Sequence, residues 1–240
     1  MKNKILVLGH TGMLGHMVVK YLSENNYDVC CLSERWPMCK NSILSFDGDY
    51  IVNCIGSIPQ RKSDFEINWS IPIWLDLNCK CKIIHPGTDC EMDVDDYGVS
   101  KNVAASFIKT LGSNTKILKS SIIGPELSTN SSLLSWFLSQ KNEVLGYTAA
   151  FWNGNTTLEW AKQCDMLISN WDLYEVETII SSNTVTKYDL LHIFNKVFDK
   201  NISIKAKKLG KDKSLKGSIK TKDILEQLIE LKSYYYGELK

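Results

Sequence analysis

A chain of 240 residues, 44% hydrophobic and 23% charged, is long enough for one doubly wound sheet and a modest second lobe. Its formal net charge of +1 gives no global field to recruit nucleic acid, and no run of 18 apolar residues offers a membrane span. The N-terminus enters a core strand after three residues, which leaves no room for a signal peptide, so a soluble, cytoplasmic protein is expected.

The opening stretch KILVLGHTGMLGHMVVKYL, residues 4–22, sets the organisation. Ile5, Leu6, Val7 and Leu8 form the short continuous apolar run of a central parallel strand. Apolar residues then recur at Met13, Leu14, Met17, Val18, Tyr21 and Leu22, as on one face of a helix. Gly9, Gly12 and Gly15 stand between, and strand, glycine turn and helix in this order predict a dinucleotide site. Gly9 permits the tight turn, Gly12 lets the backbone approach a pyrophosphate, and Gly15 lets helix and strand pack closely. Backbone N–H groups at the positive end of the helix dipole hold the phosphates.

Residues 27–32 read as the second strand, ending at Ser33, Glu34 and Arg35. An acid at this place favours NAD, whereas an arginine accommodates the 2′-phosphate of NADP. Both are present; Arg35, one of two arginines in the chain, inclines the reading to NADPH over NADH. Residues 49–56 form another strand, whose Gly56 lets the backbone lie against a cofactor. A helix over 70–77 has Pro72 near its first turn, and a short strand over 82–85 leads to Thr88. A helix over 97–111 closes at Gly112, and 116–124 is a further strand. The alternation predicts an α/β fold, a doubly wound parallel sheet of Rossmann type, over residues 1–124.

Residues 125–240 read as a smaller lobe for substrate. Residues 133–138 are helical, and 146–154 form a loop dense in aromatics and amides. Thr156 with Glu159, and Thr186 with Asp189, are capping boxes that open helices, and Thr221 caps the last one. Eight lysines against one Asp212 between Lys205 and Lys222, without arginine or aromatic residues, read as a solvated surface rather than a nucleic-acid patch. Cys30, Cys31, Cys54 and Cys164 lie in apolar runs. Cys79 and Cys81 lack a second pair at zinc spacing, so reduced thiols and no metal site are expected.

Thr88, Tyr97 and Lys101 are the candidate catalytic set. Tyr97 and Lys101 are four apart and share a helix face. Ten tyrosines and 26 lysines produce about one such pair by chance, and a second falls at Tyr236 and Lys240. The internal pair alone follows a strand and lies downstream of a glycine turn. A phenol of pKa ~10 must fall about three units, roughly 4 kcal/mol, to exchange a proton near neutrality. One ammonium at ~4 Å in an effective dielectric of ~20 supplies about that much. Lys101 is thus expected to tune Tyr97 and bond the nicotinamide ribose, while Thr88 orients the same substrate oxygen.

GHTGMLG, DYIVNCIG, Thr88-Asp89-Cys90, YGVSK and WNGNTTLEWAK together resemble the extended short-chain dehydrogenase/reductases, in the dTDP-4-dehydrorhamnose reductase-like branch of nucleotide-sugar 4-ketoreductases. The resemblance runs to about residue 198. It implies that Gly9, Thr11, Gly12, Met13, Leu14 and Gly15 hold the pyrophosphate. Asn53, Cys54, Ile55 and Gly56 would flank the cofactor, NADPH, alongside Tyr97 and Lys101. It implies that Tyr147, Trp152 and Asn153 contact a UDP- or dTDP-linked sugar together with Thr88 and Tyr97. It further implies a partly interleaved C-terminal lobe, with 174–198 returning to the core, a homodimer, and a pathway epimerase as partner. An NAD-dependent epimerase or dehydratase and a non-catalytic cofactor-binding subunit stay open as alternatives. Two departures stand out: Gly87 replaces a serine common in relatives, and only eight residues separate Thr88 from Tyr97.

Overall fold

The computed structural model describes residues 2–61 and 64–237. The first half runs β1 (Lys4–Leu8), α1 (Met13–Glu24), β2 (Asp28–Cys31), α2 (Lys40–Leu44), β3 (Tyr50–Asn53), α3 (Ile67–Asn78), β4 (Lys82–Gly87), α4 (Asp96–Leu111) and β5 (Thr115–Lys119). The second runs β6 (Ile122–Ile123), α5 (Leu133–Ser139), β7 (Val144–Tyr147), β8 (Phe151–Trp152), β9 (Asn155–Thr156), α6 (Thr157–Ser169) and β10 (Glu177–Ser181). It closes with β11 (Val185–Thr186), α7 (Lys187–Val197), β12 (Ile204–Lys207), β13 (Ile219–Lys220) and α8 (Ile224–Leu231).

The chain divides into two compact units, Met1–Lys119 with Ala161–Thr178, and Ser120–Trp160 with Ile179–Lys240. The division thus falls at 119 rather than 124, and the segment that returns to the first unit is 161–178 rather than 174–198.

The first unit is built on parallel pairing. β1 lies between β2 and β3, with Val7 opposite Cys31 and Leu8 opposite Asn53. β3 pairs with β4 and β4 with β5. Within this unit the hydrogen-bonded strand order is β5-β4-β3-β1-β2, so the chain reverses its direction of progress at β1. Ligand crevices of open α/β sheets form outside the strand ends at such a reversal. Ile5 to Leu8 are each at most 2% exposed, as expected for a strand covered on both faces. Leu6, Leu8, Ile43, Ile51, Ile71, Leu75 and Ile83 form one core cluster, and Ala105, Ile108 and Ile117 another.

α3 starts at Ile67, so Pro72 lies in its interior rather than in its first turn. The early start follows from Asn68, whose buried amide clamps the neighbouring chain. Its Oδ1 accepts from Ser57 N at 2.8 Å, and its Nδ2 donates to Ser57 O and to Ser100 Oγ, each at 3.1 Å. Burial of Pro72 with Ile71 and Leu75 offsets the one helical hydrogen bond the proline lacks.

In the second unit the expected strand over 116–124 breaks at Ser120 and Ser121. Asn155, fully buried, draws them away: its N–H donates to Ser121 O at 2.8 Å and its Nδ2 to Ser120 Oγ at 2.8 Å. Asn155 Oδ1 also takes the Thr221 hydroxyl at 2.5 Å, so Thr221 does not cap the last helix; Asp223 occupies the N-cap instead. Residues 146–154, expected as a loop, contain β8 and the end of β7, which pair with β11 and β12. Two of the three expected capping threonines cap: Glu159 N donates to Thr156 Oγ1, and Thr186 with Asp189 forms a complete box. Thr186→Ala is expected to cost about 1 kcal/mol of unfolding free energy, read from a urea transition. The lysines of residues 205–222 are exposed apart from a half-buried Lys213, and Lys205 pairs with Glu143 at 2.9 Å.

No disulfide joins the cysteines among the described residues. Cys31, expected in the core, is exposed, because β2 is the edge of the sheet. Among the described residues no helix is long and apolar enough to cross a membrane.

Candidate active site

The glycine turn has the geometry its spacing implies. Gly9 has φ +75°, and a Cβ there would lie 2.8 Å from the backbone carbonyl of Cys54 at the end of β3. A Cβ on Gly15 would lie 2.1 Å from Gly9 O, so this glycine seats α1 on the turn itself. At Gly12 the nearest obstacle is Gly9 O at 3.3 Å, so that face stays open. Gly12 caps α1 without a side-chain bond, and no acid stands in the first turn. The positive helix end is therefore not compensated by a neighbouring carboxylate. Thr11 is exposed, Met13 half-buried, and Leu14 sits in the core with only 6% exposure.

At the end of β3, Cys54 and Ile55 present backbone to Gly9, and Gly56 is exposed. The Asn53 side chain is fully buried: it accepts from Ile55 N at 3.2 Å and meets His85 Nδ1 at 3.3 Å. Arg35 is exposed, while the neighbouring Glu34 carboxylate takes the Ser42 hydroxyl at 2.5 Å.

β4 ends at Gly87, and a Cβ there would lie 2.8 Å from Ile117 Cγ2 and 2.9 Å from Lys119 Cβ. No serine fits without displacing β5. The short link to α4 is a tight 3₁₀ turn, Asp89–Met92. Thr88 Oγ1 accepts from Cys90 N at 3.3 Å and donates to Asp89 Oδ1 at 3.0 Å. Glu91 Oε1 accepts from Thr88 N at 2.9 Å, which completes a capping box. Glu91 Oε2 pairs with Lys119 at 2.6 Å, and Lys119 reaches Glu177 at 2.8 Å. Sequence reasoning missed this buried brace, although Thr88-x-x-Glu91 carries its signature. Asp95 then caps α4 through Gly98 N at 2.7 Å, and a Cβ on Gly98 would lie 2.6 Å from the Cys90 and Asp93 carbonyl oxygens. The shortened segment is closely packed.

These elements set the Thr88 side chain beside the Tyr97 phenol. The Tyr97 ring meets Phe65 edge-on at 5.8 Å between centroids, and the Asn68–Ser100 bond ties α4 to α3. Lys101, 7% exposed, donates to Pro86 O at 3.1 Å and lies 3.5 Å from His85 Nε2. Burial brings its ammonium down to about 8, against the pull of Glu91. Burial also raises the Tyr97 phenol, with Cys90 adding to the rise and the Thr88 side chain opposing it. The Lys101 ammonium is turned to Pro86 and His85.

The three expected sugar contacts belong to the second unit. Asn153 is occupied structurally: Oδ1 accepts from Leu215 N and Nδ2 donates to Leu215 O, both at 2.8 Å. Trp152 is 4% exposed and packs where a Cβ on Gly154 would reach it. Tyr147, at the end of β7, is half-buried. Lys240 of the terminal Tyr–Lys pair lies outside the described residues.

The model of the NAD dependent epimerase/dehydratase family matches residues 5–63. No curated protein sequence matches the chain. Among solved structures, the dTDP-4-dehydrorhamnose reductase of Bacillus anthracis in complex with NADP aligns with TM-score 0.81 at 13% identity, over 96% of this chain and 99% of that one. A dTDP-4-dehydrorhamnose reductase ortholog from Clostridium acetobutylicum gives 0.78 at 16%, over 98% and 99%. The GDP-mannoheptose C4 reductase of Campylobacter jejuni with NADP bound gives 0.73 at 13%, over 98% of each chain. At such identities the likeness is one of fold: this chain has the Rossmann-type fold of these nucleotide-sugar reductases along nearly its whole length.

Proposed function

We propose that the protein uses NADPH to reduce the 4-keto group of a nucleotide-linked 4-keto-6-deoxy hexose, carried on dTDP or UDP, with a 2-acetamido-2,6-dideoxy sugar as the variant substrate. The observation that carries this reading is the Thr88 side chain set beside the Tyr97 phenol, with Lys101 one helical turn on, in the same compact unit as the glycine turn. The fold shared with reductases solved with NADP supports it.

The residues present fit a dinucleotide. Gly12 leaves an open face at an uncapped helix start, and Gly9 and Gly15 hold the turn that shapes it. Arg35 is exposed where a 2′-phosphate is read, while Glu34 is engaged by Ser42. When bound, NADPH supplies a hydride to the carbonyl carbon. Tyr97 gives its proton to the developing alkoxide, Thr88 orients that oxygen, and the Lys101 ammonium supports the phenolate left behind.

An epimerase or dehydratase is the competing reading, and a dehydratase needs an acid/base pair beside the threonine. Glu91 is withdrawn from that task, buried on Lys119 and on the Thr88 N–H. The test is NADPH oxidation with a 4-keto-6-deoxy nucleotide sugar generated in situ, with and without a 3,5-epimerase. Oxidation supports the reductase; NADPH binding without oxidation of any ketone tested would favour a cofactor-binding regulatory subunit.

A further inference from the structure

Beneath Lys101 lies a buried polar chain that the proposed reduction does not otherwise use. β3 and β4 pair with Val52 opposite Ile84, so the next residues on each, Asn53 and His85, are cross-strand neighbours. They are 0% and 2% exposed, and Lys101 on α4 covers them. The amide orientation of Asn53 is fixed by Ile55, whose N–H needs an acceptor and finds Oδ1 at 3.2 Å. Nδ2 is then the atom that faces His85, and it donates to Nδ1 at 3.3 Å. A neutral imidazole carries one proton, so with Nδ1 accepting, that proton sits on Nε2. Nε2 lies 3.5 Å from Lys101 Nζ.

This arrangement has a consequence for Lys101. An N–H aimed at an ammonium opposes it, whereas the same N–H donates to a neutral amine, which has a lone pair. Burial, with charge repulsion from Lys101 added, keeps His85 neutral. The geometry points to His85, oriented by Asn53, as a positioning residue that gives the neutral Lys101 amine a hydrogen-bond partner: that amine accepts from His85 Nε2–H and donates to Pro86 O. The inference rests on the reductase reading, in which the charge on Lys101 bears on the Tyr97 phenolate. The other group facing Lys101 is Glu91, which favours its charged form.

Two measurements on the full-length, cofactor-free protein test this without needing a substrate. Ring nitrogen NMR should show His85 protonated on Nε2 and bare on Nδ1; the opposite tautomer, or a doubly protonated ring at pH 7, overturns the proposal. Lys101 is then titrated through its labelled ε-carbon, its signal identified by loss in Lys101→Arg. In His85→Leu the midpoint should rise by about half a pH unit or more, as the opposing N–H is lost. In His85→Gln, whose amide returns an N–H near the Nε2 position, it should stay close to wild type. An unchanged midpoint in His85→Leu, or equal shifts in both variants, contradicts the proposal, and either result leaves the NADPH oxidation test of the reductase reading unaffected.

Discussion

Tyr97→Phe is expected to lower kcat for ketone reduction by about 10²–10⁴-fold while changing NADPH affinity by no more than about twofold. On the proposed reading the phenol beside Thr88 is the proton donor, so its loss stops that step and leaves the glycine turn intact. Stability should change little, because the ring keeps its edge-on contact with Phe65. Single-turnover mixing with preloaded NADPH separates the two quantities. The pH profile adds a second check. The Lys101 ammonium, brought down to about 8 by burial, is charged below that pH and neutral above it. Since the charged form supports the phenolate, kcat/KM should be high on the acid side of pH 8 and fall as pH rises through it. A rise through that window would assign Lys101 another part in the reaction.

Gly9→Ala and Gly12→Ala should separate folding from cofactor binding within one turn. At Gly9 a methyl group meets both a left-handed backbone, φ +75°, and the Cys54 carbonyl at 2.8 Å. Neither can yield without moving β3 away from β1. The combined cost is about 2–4 kcal/mol, or a fall in Tm of roughly 5–15 °C for a chain of this size. At Gly12 the methyl meets only Gly9 O at 3.3 Å, so melting should move by about 2 °C or less. NADPH affinity should nevertheless fall about tenfold or more, because the methyl occupies the face left for a pyrophosphate. Calorimetry for melting and fluorescence titration for binding give the two axes. Equal losses on both axes in the two variants would mean that the open face at Gly12 has no binding role.

The first strand and its glycines were legible because each signal there is local. A four-residue apolar run, three glycines and a helical stripe need no knowledge of distant residues, and φ +75° at Gly9 is a property of the turn alone. The candidate trio Thr88, Tyr97 and Lys101 was legible as a pattern for the same reason, its members lying within 14 residues. What escaped was non-local. His85 reads from sequence as an apolar-strand histidine, and its partnership with Asn53 exists only through the register of β3 on β4. Trp152 and Asn153 read as a loop by composition, yet strands of two residues are too short to show alternation, and the clamp on Leu215 spans 62 positions. Thr221 looked like a cap until Asn155, 66 residues away, claimed its hydroxyl. Pro72 misplaced the start of α3, because the anchor that begins the helix earlier is the contact of Asn68 with Ser57 and Ser100.

The most direct test of the account is transfer of label. NADPH carrying deuterium at the reactive C4 position of the nicotinamide is incubated with the wild-type protein and a dTDP-linked 4-keto-6-deoxy hexose, with and without a 3,5-epimerase, and the sugar is read by mass spectrometry and proton NMR. The account predicts a product one mass unit heavier than that made from unlabelled NADPH, with the deuterium on sugar C4 and a new hydroxyl on the same carbon. NADPH that binds but leaves no deuterium in the sugar, or deuterium found at another carbon, would contradict the assignment of this site to 4-keto reduction.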